Sequence, residues 1–67
     1  MLVVNTKLKQ LIKESGKTQG LLAKEVGIPE ARLSRIIHGY ITPRKSEEKT
    51  IARILGILTI DVFPPQL

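Results

Sequence analysis

Thr18 to Gly39 reads TQGLLAKEVGIPEARLSRIIHG, and the rest of the chain is organised around this stretch. Leu22, Ala23 and Val26 recur at helical spacing, and Leu33, Ile36 and Ile37 do so again further on. Gly27-Ile28-Pro29 interrupts the pattern between them. A glycine tolerates the positive φ that often closes a helix. A proline opening the next helix loses no bond, because N–H groups in a first turn are unpaired anyway. The stretch therefore predicts a helix, a tight turn and a second helix within about twenty residues. That unit can place its second helix end-first in the DNA major groove.

On the N-terminal side, Asn5 and Thr6 are both suitable N-caps for an earlier helix. Its apolar stripe is Leu8, Leu11 and Ile12, with Lys7, Lys9 and Lys13 off the stripe and Gly16 after Ser15 as its stop. Thr18 caps the second helix. Gly39 ends the third, and Tyr40 to Lys45 is a loop containing Pro43. Ser46-Glu47-Glu48 predicts the start of a fourth helix, with a cap and two acids that suit the helix dipole. Ile51, Ala52, Ile54 and Leu55 form its inner face, and Gly56 ends it. Thr59 to Phe63 is a short fifth helix, weakened by the β-branched residues around it. Pro64-Pro65 stops any helix. The expected core is Leu8, Leu11, Ile12, Leu22, Ala23, Val26, Ile28, Leu33, Ile36, Ile37, Ile51, Ile54, Leu55 and Phe63. The fold class is all-α: four or five helices in one domain spanning 1–67.

The chain has 67 residues, enough for one domain with a thin core. It carries no cysteine, so disulfides, thiolate nucleophiles and zinc-finger sites are excluded. One histidine and scattered carboxylates suggest neither a metal site nor acid–base catalysis. No enzyme activity and no cofactor are expected. No apolar run approaches the roughly 18 residues needed to cross a membrane. Met1-Leu2-Val3-Val4 is too short for a signal-peptide core. A cytoplasmic protein is expected. The net charge of +5 suits a polyanionic partner.

On the third helix, about residues 29–38, Leu33, Ile36 and Ile37 cluster on one side at ~100° per residue. The opposite side holds Ala31, Arg35 and His38, flanked by Ser34 and Arg32. The N-terminal part of such a helix penetrates deepest, which nominates Glu30, Ala31, Ser34 and Arg35 for base edges. Arg35 suits guanine O6 and N7, Glu30 suits cytosine N4, and Ala31 suits a thymine methyl. The plainer account of the same residues is the solvated face of an amphipathic helix.

The whole pattern resembles the helix-turn-helix of the phage repressor and Cro-type (XRE-like) regulators. Thr18-Gln19, Ala23, Gly27, Leu33-Ser34-Arg35-Ile36 and Gly39 match that family's landmarks. Pro43 and Ile51-Ala52-Arg53-Ile54-Leu55-Gly56 match its loop proline and fourth helix, so the likeness runs from about Leu8 to Phe63. The resemblance implies a lambda-repressor-like DNA-binding domain, with the helix-turn-helix at about 18–39. It implies a phosphate contact for Gln19, reinforced by the N–H groups of its helix start. It implies backbone contacts for Arg44 and Lys45. Lys17, Arg32 and His38 are further backbone candidates. Two departures stand out: Ile12 and Ile37 occupy positions where many relatives pair a buried Arg with a Glu, and Pro29 replaces a Ser or Thr cap. An aliphatic pair can replace a buried ion pair at little cost.

The resemblance further implies a repressor that binds a pseudo-palindromic operator in double-stranded DNA as a homodimer. The expected dimer surface is the fourth helix, residues 57–63 and the tail Pro64-Pro65-Gln66-Leu67. Leu58, Ile60 and Val62 cannot all face one thin core, which leaves some for a partner. Pairing of Met1 to Val4 as an extra strand is the alternative. The competing function is an antitoxin-like or other protein-binding module on the same fold.

Overall fold

The computed structural model describes residues 3–64. Five helices follow in order: α1 Thr6–Glu14, α2 Gln19–Val26, α3 Glu30–Ile37, α4 Lys45–Leu55 and α5 Thr59–Val62. There is no strand among the described residues. α2 packs on α3 and α4, α4 on α5, and α1 on α3. Leu8, Ile12, Leu22, Ala23, Leu33, Ile36, Ile37, Ile51 and Val62 form the buried cluster. Leu11, Val26, Ile28, Ile54, Leu55 and Phe63 are half-buried against it. Ile12 and Ile37 both lie inside this cluster as an aliphatic pair.

Local chemistry sets most helix ends. The Asn5 Oδ1 accepts the Leu8 N–H at 3.0 Å, and the Thr18 Oγ1 accepts the Leu21 N–H at 3.0 Å. Each bond satisfies a first-turn donor that has no helical partner. Gly27 closes α2 at φ 89°, a conformation strained for any residue with a Cβ. Pro29 stands just outside α3 as its N-cap residue, not as its first helical residue.

The start of α4 differs from the expected one. Ser46 is not its cap: the N-cap is Arg44, and Lys45 is already helical. The cause is Glu47, whose Oε1 accepts the Arg44 N–H at 2.7 Å. This is one half of a capping box. The other half would need an acceptor on the cap side chain, and arginine has none.

Asn5 also ties the ends of three helices together. Besides capping α1, its N–H donates to the Ile37 carbonyl at 2.7 Å and its Nδ2 to the Val62 carbonyl at 2.9 Å. Gly39, at φ 80°, lies under Val3: a Cβ there would stand 2.5 Å from the Val3 carbonyl oxygen. Of the three α5-region residues that cannot share one core, Val62 is inside at 1% exposure. Leu58 and Ile60 stay outside at 68% and 57%. Met1, Leu2 and the tail Pro65-Gln66-Leu67, both invoked for dimer contacts, lie outside the described residues.

Candidate nucleic-acid interface

Leu33 fixes the register of the recognition unit. It is fully buried, as is Ile37, and Ile36 beside it is buried. Helical geometry then turns Glu30, Ala31 and Arg35 outward, and all three are exposed. Ser34 and His38 are half-buried at the edge of that face. The turn before α3 is held by the Ala23 carbonyl, which accepts both the Gly27 N–H at 2.9 Å and the Ile28 N–H at 3.0 Å. α2 therefore ends against the start of α3 in a single geometry.

Gly20 has a use in this arrangement. A Cβ there would meet the Glu30 Oε2 at 3.1 Å. The absent side chain leaves room for the Glu30 carboxylate to lie across the start of α2. Because the neighbour is the flexible end of a glutamate, an alanine at Gly20 would displace it cheaply.

Three of the backbone candidates have side-chain hydrogen-bond partners within the chain. The Lys17 Nζ meets the Glu25 Oε1 at 2.8 Å, on side chains about one-third exposed. An ion pair this open to water is worth about 0–1 kcal/mol, so a phosphate can displace it. The His38 Nδ1 lies 2.8 Å from the Ser34 carbonyl oxygen. A carbonyl only accepts, so Nδ1 donates and Nε2 is the outward nitrogen. Arg32 is bound more firmly. Its Nε donates to the Glu47 Oε2 at 2.7 Å and its Nη2 to the Glu47 Oε1 at 2.8 Å.

Glu47 is the one buried charged residue among those described, at 8% exposure. The paired hydrogen bonds from Arg32 hold its carboxyl well below the ordinary range, at about 2, with help from the Arg44 N–H and against the cost of burial. The same contact raises the Arg32 pKa. Sequence reasoning missed this pair because the partners are fifteen residues apart and on different helices. The one available signal was a glutamate three residues after the helix cap, which is the capping-box position.

Arg44 and Lys45 are both exposed where the α3–α4 loop meets α4. Lys45 approaches the Glu48 Oε1 only to 3.8 Å while remaining 89% exposed. Gln19, half-buried, is the first residue of α2. The bridge through Glu47 brings Arg32 and Arg44 to one carboxylate, joining the flank of α3 to the start of α4.

Two helices meeting at a fixed turn, the second with a buried inner face and an exposed polar outer face, define a helix-turn-helix domain of the lambda-repressor-like kind. A helix-turn-helix family model matches residues 8–63. The chain belongs to the XRE-like helix-turn-helix family of DNA-binding regulators. No curated protein and no solved structure matches it. The family is one of regulators and is not typically enzymatic.

Proposed function

We propose that the protein is a sequence-specific transcriptional repressor that acts in the cytoplasm. It inserts α3 into the major groove of a pseudo-palindromic operator as a homodimer. The observation that carries this reading is the division of α3: Leu33, Ile36 and Ile37 are buried while Glu30, Ala31 and Arg35 are exposed. In this reading Glu30, Ala31, Ser34 and Arg35 read base edges. Lys17, Gln19, Arg32, His38, Arg44 and Lys45 meet the sugar–phosphate backbone. Arg32 does so with the three N–H donors that its bond to Glu47 leaves free. A single small helix-turn-helix reads few base pairs, which favours a symmetric pair of half-sites. Exposed Leu58, at the N-cap of α5, and Ile60, within it, supply apolar surface for the second copy.

The same two residues favour one second reading, an antitoxin-like module whose main partner is another protein. Selection of bound sequences from a random DNA pool separates the two. The repressor reading expects a palindromic consensus. A pool that never enriches would refute it and favour the protein partner.

A further inference from the structure

Three hydrogen bonds converge on the Glu47 carboxylate. Two come from the Arg32 side chain on α3 and one from the Arg44 N–H at the start of α4. α4 packs mainly on α2 and α5, and this carboxylate joins its first turn to the flank of α3. Paired N–H···O bonds from a planar guanidinium fix direction as well as distance. An ion pair with one partner about a third exposed adds only modestly to net stability. What it does contribute is orientation. Arg32 sits between Ala31 and Leu33, within the stretch proposed to read bases, and Arg44 borders the loop proposed to meet phosphate. Reading base edges requires side chains held within about 0.5 Å of their productive positions.

We propose that the Arg32–Glu47 bridge is a positioning device for DNA discrimination. Glu47, without touching DNA, locks the recognition helix to the Arg44 segment, so that base contacts and backbone contacts form in one register. The inference rests on the DNA-reading function proposed above. It adds that operator selectivity depends on a carboxylate remote from every base.

The test compares Glu47→Gln and Arg32→Lys with the unmodified protein, on the selected operator and on random duplex. Far-UV circular dichroism at the assay temperature reports the folded fraction of each. Glu47→Gln keeps the shape and the cap acceptor for Arg44, but removes a negative charge close to the DNA. Its operator affinity should fall about tenfold, the effect of losing one good base contact. Its affinity for random duplex should hold or rise, since a repulsive charge is gone. Arg32→Lys keeps the charge and loses the paired geometry. It should narrow the operator-to-random ratio to a similar extent while leaving the salt dependence unchanged. A merely structural role would lower both affinities by the same factor, in step with the folded fraction. Equal losses, or an unchanged ratio in both variants, would overturn the inference and leave the DNA reading intact. If the unmodified protein binds neither DNA, the DNA reading falls and this inference falls with it.

Discussion

Glu47→Gln also makes a prediction about stability that requires no DNA. The folded chain holds the Glu47 carboxyl at about 2, against an ordinary value of 4.5. A tenfold change in proton affinity is worth about 1.4 kcal/mol, so the linked stabilisation has an upper bound of roughly 3 kcal/mol. The Arg32 side chain is 31% exposed, so water screens the pair and about 1–2 kcal/mol is the expected size. A folded-state value below the unfolded one means that the stabilisation is fully present above pH 4.5. It is lost as the pH falls from about 4.5 towards 2. At pH 7 the variant should therefore be about 1–2 kcal/mol less stable than the parent. For a domain of this size that is a drop in Tm of about 5–15 °C. At pH 2 the two proteins should unfold together. Urea titrations at pH 7, 5, 3 and 2, followed by circular dichroism, measure the difference directly. Subtracting the two curves removes every other titrating group. A gap that stays constant across this range would refute the reasoning. The effect of the substitution would then lie in packing, with no part played by the charge of Glu47.

Leu33→Ala empties a fully buried site and should cost roughly 2–5 kcal/mol, enough to unfold much of so small a domain; thermal melts check it. Arg35→Ala, on an exposed residue, should leave the melt nearly unchanged while weakening operator binding by about 1–3 kcal/mol and relaxing preference at one base position per half-site. Lys45→Ala should instead weaken all duplexes about equally; equal losses on operator and random DNA for Arg35→Ala would make Arg35 a phosphate contact. With Lys17, Arg32, Arg44 and Lys45 all meeting phosphates, log Kobs should fall against log salt with a slope of roughly −3 to −4, and a flat response would favour a protein partner. Sedimentation should show a dimer that Leu58→Lys with Ile60→Lys disrupts; a monomer at high concentration without DNA would leave only assembly on the operator.

Much of the architecture was legible along the chain because neighbours a few residues apart enforce it. Asn5 and Thr18 each bond an N–H three residues ahead, and Gly27 and Gly56 close their helices at positive φ. The stripe Leu33, Ile36 and Ile37 exposes its own register, which in turn chose Glu30, Ala31 and Arg35 as the outward residues. Such features follow from helical geometry and the conformational limits of single residues, and both are written into a short stretch of sequence.

What escaped the sequence depends on partners that only folding brings together. Ser46 was the better cap by composition, yet α4 starts earlier because Glu47 reaches the Arg44 N–H while holding Arg32 from another helix. Asn5 is an ordinary N-cap in isolation; its bonds to the Ile37 and Val62 carbonyls exist only once α1, α3 and α5 meet. The run from Ile57 to Val62 has no clear period, so nothing local could say that Val62 turns inward while Leu58 and Ile60 remain outside. The class of fold and the outward face of α3 were thus properties of the chain. The ion pair that braces that face was a property of the tertiary structure, since a buried carboxylate is tolerated only where distant donors surround it.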